Sequence, residues 1–138
     1  MTSKLNPYIN FNGNAKEAIE FYKSVFGGEL TMSTFGQGGM PVDAEEAEKI
    51  MHAMLVAGNG MTLMASDTTK GWVYNPGTNM SVSLSGDDEA ELKEYWDKLT
   101  EGATVEQPLV PAPWGDQFGM LTDKFGIRWL VNIAGKKS

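Results

Sequence analysis

Polar and apolar residues alternate through Tyr8-Ile9-Asn10-Phe11 and stop at Asn12-Gly13, which predicts a half-buried strand ended by a turn. The period then changes. Ala18, Ile19, Tyr22, Val25 and Phe26 recur at helical spacing behind Asn14, an N-cap candidate with Glu17 three residues on, and Gly27-Gly28 ends the helix. Leu30 to Phe35 reads as a second strand, and Gly36-Gln37-Gly38-Gly39-Met40-Pro41 as a loop. Asp43 to Ile50 reads as a short acidic helix. Met51 to Ala57 and Met61 to Ser66 form two strands about the tight turn Gly58-Asn59-Gly60. The first half thus spells strand, helix and three strands.

After a linker over residues 68–78 the pattern restarts. Asn79 to Ser85 alternates, Gly86 and the cap candidate Asp87 follow, and Leu92, Tyr95, Trp96 and Leu99 make the next helical stripe. Ala103 to Gln107, Gln117 to Leu121 and Ile127 to Ile133 supply three more strands, the last after the turn Asp123-Lys124-Phe125-Gly126. An offset of 73 residues that places Gly13 on Gly86 also places Ile9 on Val82, Phe11 on Leu84, Ile19 on Leu92, Tyr22 on Tyr95 and Phe26 on Leu99. The expectation is an internal repeat in one α+β domain: two βαβββ modules, at about 5–67 and 79–134. A ferredoxin-like fold would use the same helices with fewer strands.

At 138 residues, 41% hydrophobic and 10% aromatic, the chain has the length and apolar content of one folded domain. A net charge of -7, with no basic run before Lys136-Lys137, argues against nucleic acid and anionic membranes as partners. The absence of cysteine removes disulfides and thiolate chemistry. The start from Met1 to Pro7 lacks a signal-peptide pattern, and no apolar run approaches the roughly 20 residues of a membrane span, so a cytoplasmic protein is expected.

Three segments carry a family resemblance. They are Asn6-Pro7-Tyr8-Ile9-Asn10-Phe11-Asn12-Gly13-Asn14-Ala15 through Tyr22 to Gly27-Gly28-Glu29; His52-Ala53-Met54-Leu55 leading to Met64-Ala65-Ser66-Asp67; and Trp114-Gly115-Asp116-Gln117-Phe118-Gly119 leading through Asp123-Lys124-Phe125-Gly126 to Trp129. Together they resemble the PhnB-like branch of the vicinal oxygen chelate superfamily, which includes glyoxalases, bleomycin-resistance proteins and dihydroxybiphenyl dioxygenases. The resemblance implies paired βαβββ modules whose sheets curl into a cup, often completed by a homodimer partner. It also implies, for the enzymes, a divalent metal held by His, Gln or Glu on the first and last strands of each module. Here those strands offer Asn6, Tyr8 and Asn10; Thr62, Met64 and Ser66; Ser81 and Ser83; and Arg128, Leu130 and Asn132, with no His or Glu among them. No conventional metal site and no cofactor are therefore expected. Some members of this branch carry a name borrowed from ubiquinone methyltransferases, but the loop at Gly36-Gln37-Gly38-Gly39 lacks the strand–Gly-rich–helix context of a nucleotide fold.

His52 is the single histidine, so it is the candidate catalytic residue, as a general base, or else a pocket hydrogen-bond donor; a structural role at a strand edge is the competing reading. Tyr8, Asn10, Ser81 and Ser83 fall on the polar faces of equivalent strands, where a ligand or bulk water would meet them. Arg128 could fix a carboxylate or phosphonate, or lie in a salt bridge. Trp114 could cap a pocket and Asp116 accept a hydrogen bond there, although hairpin structure explains both. Trp96 and Trp129 fall at packing positions. The Asp43, Glu45, Glu46, Glu48 cluster reads as a solvated helix face, and Asp67 and Asp123 as turn formers. The functional expectation is a small-molecule-binding protein for a polar or partly aromatic ligand, a homodimer without a metal. The rivals are a lyase, isomerase or dioxygenase-like enzyme using His52 or a dimer-shared metal, and a bare interaction scaffold.

Overall fold

The opening alternation forms strand β1 (Tyr8–Phe11), and the first helical stripe forms α1 (Ala15–Phe26). β2 (Glu29–Thr34), one 3-10 turn (Ala44–Glu46), β3 (Ile50–Val56) and β4 (Thr62–Asp67) follow. The second half repeats the order with β5 (Val82–Gly86), α2 (Glu89–Leu99), β6 (Thr104–Pro111), β7 (Gln117–Thr122) and β8 (Arg128–Ile133). This computed structural model describes residues 3–39, 42–69 and 72–135. Met1 and Thr2, Met40 and Pro41 of the glycine-rich loop, Lys70 and Gly71 of the expected linker, and Lys136-Lys137 with Ser138 lie outside those residues. The chain divides into two units, one ending at Pro76 and one beginning at Gly77.

The two sheets have the same topology, β1-β4-β3-β2 and β5-β8-β7-β6. In each, the first strand runs parallel to the last and the remaining pairs are antiparallel, as the repeat requires. In the first unit Phe11, Ala53, Leu55, Leu63 and Ala65 share one sheet face by the two-residue period and are buried. Ala15, Ala18, Ile19, Tyr22 and Val25 of α1 are buried with them. In the second unit Leu84, Leu121, Trp129, Val131 and Ile133 are buried together with Leu92, Tyr95, Trp96 and Leu99 of α2. The sequence's stripes therefore become the two cores, each large side chain contributing roughly 1.5–3 kcal/mol on leaving water. Gly119 is part of the second core for a steric reason: a Cβ there would lie 2.7 Å from the Trp96 ring.

The helix caps differ from the sequence expectation. Asn14 stands at the N-cap of α1, but its side chain makes no capping bond. Asp67 does that work from the end of β4: one carboxylate oxygen accepts from the amides of Gly13 at 3.0 Å and Ala15 at 2.9 Å, and the other from Ile50 at 2.9 Å. Asp67 is thus a buried tie between the start of α1 and the start of β3, not chiefly a turn former. In α2 the cap is Asp88 in place of Asp87, accepting from the Glu91 amide at 3.1 Å. Val131 occupies in β8 the position that Asp67 has in β4, since it pairs with Leu84 as Asp67 pairs with Phe11. A valine cannot accept, so α2 is capped locally.

The acidic segment also departs from expectation. It forms only the turn Ala44–Glu46, because Ile50 is already strand and tied to Asp67. Glu46 is not solvated: it is buried, with its carboxylate 2.9 Å from the Lys49 ammonium. Asp123 combines the expected turn role, accepting from the Phe125 and Ile127 amides, with a bond from the buried Trp129 indole at 2.8 Å.

Candidate functional site

A cavity of about 620 Å³ opens in the first unit. One wall is the sheet face turned away from α1. Tyr8 and Asn10 reach it from β1, and Ser66 from β4, because residues two apart on a strand share a face and because Asn10 pairs with Ser66. Phe35, Val42, Asp43, Glu46 and Met51 line the cavity as well. Thr68, Thr69, Trp72 and Val73 complete it. Those four residues belong to the stretch read from the sequence as linker. Their Thr and Asn neighbours gave no hint of a wall; an exposed aromatic, Trp72, beside Val73 and Tyr74 in a glycine-containing segment was the available signal.

The polar wall is pre-organised. The Ser66 hydroxyl donates to the Asn10 carboxamide oxygen at 3.0 Å, fixing the orientation in which Asn10 presents its NH2 group. The Tyr8 hydroxyl and His52 Nδ1 are 3.3 Å apart, with ring centroids 5.8 Å apart. His52 does not itself line the cavity; it stands on β3 opposite Ser33 and meets the space through Tyr8. Asp67 lines the cavity as well, with both oxygens engaged by backbone amides. The Glu46 carboxylate is a second buried anion of the wall, and Lys49 neutralises it.

The remaining sequence candidates lie in the second unit. Ser81 precedes β5 and Ser83 lies on it, both exposed. Arg128 donates from Nη1 to the Thr78 carbonyl at 2.7 Å, a bond that ties β8 to the segment before β5. Asp116 accepts from the Asn132 carboxamide at 3.0 Å and from the Gly135 amide at 2.8 Å. Trp114 is exposed, donates to the Asn132 oxygen at 3.3 Å and packs edge-on against Phe118. This cluster ties the β7 entry to the end of β8. Within the first unit the fold brings together Tyr8, Asn10 and, behind them, His52. Among the described residues no group of three or more His, Cys, Asp or Glu side chains is placed to hold a metal ion.

Paired βαβββ units with these sheet orders and a cavity on a polar sheet face define a protein of the glyoxalase/bleomycin-resistance/dioxygenase fold. The chain belongs to the family described as 3-demethylubiquinone-9 3-methyltransferase, whose model matches residues 3–132. It is similar to protein PA1353 from Pseudomonas aeruginosa, at 40% identity and a TM-score of 0.84, over 98% of this chain and all of that one. It is similar also to a Bacillus cereus structure described as a putative 3-demethylubiquinone-9 3-methyltransferase, PhnB protein: 26% identity, TM-score 0.71, covering 96% of this chain and 100% of that one. Protein YjdN of Escherichia coli is 28% identical over 94% of this chain and 95% of its own length. A glyoxylase/bleomycin resistance protein/dioxygenase domain from Frankia, at 14% identity and a TM-score of 0.67 over 100% of this chain and 96% of that one, shares the fold alone.

Proposed function

We propose that this protein binds a small, polar or partly aromatic molecule in the cavity of the first unit, without a metal. The carrying observation is the composition of that wall: Tyr8, Asn10, Ser66 and Thr68 offer hydrogen bonds beside Phe35, Met51 and Trp72, which offer apolar and aromatic surface. A volume of about 620 Å³ falls in the range of sites that hold single small molecules. The donor chemistry is unfit for a divalent ion of the superfamily's kind. Asn10 is engaged by Ser66, both oxygens of Asp67 by amides and Glu46 by Lys49, and among the described residues no group of three or more His, Cys, Asp or Glu side chains is placed to hold an ion. On this reading Arg128 is a structural tie, and a homodimer in the cytoplasm is the assembly proposed.

The glycine-rich loop gives no support to the methyltransferase activity in the family's description. The glycines at 36–39 lead from β2 to a single 3-10 turn and not into the N-terminus of a helix long enough to hold a phosphate. A second reading, a lyase, isomerase or dioxygenase-like enzyme, is favoured by the contact of Tyr8 with His52, which could move a proton at the cavity wall. A screen of small aromatic and polar compounds by thermal shift and calorimetry tests the first reading, run with protein dialysed after exposure to zinc, nickel, manganese and ferrous iron. Saturable binding with no retained metal and no turnover is expected. Near-stoichiometric retention of an ion would overturn the metal-free reading. Turnover that His52→Ala abolishes would replace binding by catalysis.

A further inference from the structure

The strands that carry Tyr8 and His52 are not neighbours. β1 and β3 each pair with β4, which separates them by about 9–10 Å. The Tyr8 ring leans across β4 on the cavity face, and its hydroxyl ends 3.3 Å from Nδ1 of the imidazole. A tyrosine hydroxyl has one proton and can also accept, so whichever of these His52 engages decides what is left for the cavity. Neutral His52 with Nδ1 bare accepts the tyrosine's proton, and Tyr8 then offers the cavity only an acceptor. Protonated His52 must donate from Nδ1, which turns the tyrosine's proton toward the cavity.

We propose that His52 is a positioning residue that sets the hydrogen-bond polarity of the Tyr8 hydroxyl at the cavity wall, acceptor when the neutral imidazole carries its proton on Nε2 and donor when the imidazole is protonated. The inference rests on the reading of this cavity as a ligand site. It gives the ligand class a condition: above the imidazole's titration the site favours a molecule with an N–H or O–H group at this point, and below it one with a carbonyl or other acceptor. Few other groups can interfere. β2 presents Ser33 to His52, and β4 presents Met64 and Ser66 on the shared face. The carboxylates of the cavity are Asp43, Glu46, which is held by Lys49, and Asp67, which is turned to the start of α1. α1 packs on the other face of the sheet.

Because His52 is the one histidine, an untagged chain gives a single imidazole signal, and tyrosine labelled at the ring carbon bearing oxygen gives four signals. Tyr8→Phe assigns the relevant one. In the wild type the Tyr8 signal should move with pH at the same midpoint as the imidazole signal, and His52→Gln should abolish that movement while leaving the other tyrosines alone. Two neutral probes then read the cavity: indole, an N–H donor, and acetophenone, a carbonyl acceptor. On lowering pH through the imidazole titration the ratio of acetophenone to indole affinity should rise about fivefold, the worth of one neutral hydrogen bond. His52→Gln and Tyr8→Phe should each hold the ratio constant. A Tyr8 signal flat across the imidazole titration, or an unchanged ratio shift in His52→Gln, would overturn the proposal. If neither probe binds at any pH, the ligand reading of the cavity fails for these classes, and the Tyr8 signal still decides whether His52 sets the hydroxyl.

Discussion

The carboxylate of Asp67 lies 2.9 Å from the amide of Ala15, across 52 residues of sequence, and caps α1 in place of the Asn14 side chain beside it. The same group holds the first amide of β3 at 2.9 Å. Three donors converge on one buried anion, which also forms part of the cavity wall. Replacing Asp67 by Ala should lower stability by about 3 kcal/mol, in line with the cost of losing hydrogen bonds to a charged group, and Asp67→Asn by roughly half as much because one acceptor survives. Urea unfolding followed by circular dichroism measures both. Equal midpoints for wild type and Asp67→Ala would remove the tie from the account.

The two helix starts should respond unequally to alanine. Asn14 makes no capping bond, so Asn14→Ala should change stability by under about 0.5 kcal/mol, whereas Asp88→Ala should cost about 1 kcal/mol. The comparison is internal to one protein, and the order of the two unfolding midpoints checks it. A larger loss at Asn14 would mean that it caps α1 in solution.

Gly119 gives Trp96 its seat, with the ring 2.7 Å from where a Cβ would stand and the Leu109 backbone 3.0 Å away on another side. Gly119→Ala should therefore destabilise by about 1–3 kcal/mol, as overpacked sites do. Its second signature is optical: displacement of buried Trp96 should shift the tryptophan emission to the red in the native protein. Unchanged emission and an unchanged unfolding midpoint would show that the ring has room to yield.

Ligand entry should be visible at Trp72. This ring is 70% exposed at the cavity, while Trp96 and Trp129 are buried in the second unit and Trp114 lies there at the surface. A compound that saturates the wild type should alter tryptophan fluorescence, and Trp72→Phe should remove most of that change without unfolding the protein. Trp114→Phe should leave it intact. The reverse pattern would move the binding site to the second unit.

Much of the fold was legible because amphipathic periods report directly on burial. Phe11, Ile19 and Tyr22 repeat as Leu84, Leu92 and Tyr95 at one offset, and all six are buried. The same period placed Tyr8 and Asn10 on the face away from the helix, which became the cavity wall. Charge alone points the acidic stretch to solvent, yet Glu46 is buried beside Lys49, a contact that depends on the backbone folding into a single turn. A stretch rich in Gly, Asn and Pro read as linker, although part of it, with Trp72 and Val73, forms a side of the cavity.

The sequence by itself determined the order of elements, the two buried stripes and the polar face of β1, since each depends on neighbours within one turn or one strand. The tertiary structure alone decided that Asp67 caps a helix, that Ser66 orients Asn10 and that Tyr8 meets His52. Those partners stand 44 to 56 residues apart and are joined only by sheet register. A periodic pattern states which side of a strand is dry. It carries no term for which strand lies alongside, and a one-residue change of register would turn each of these groups to the other face.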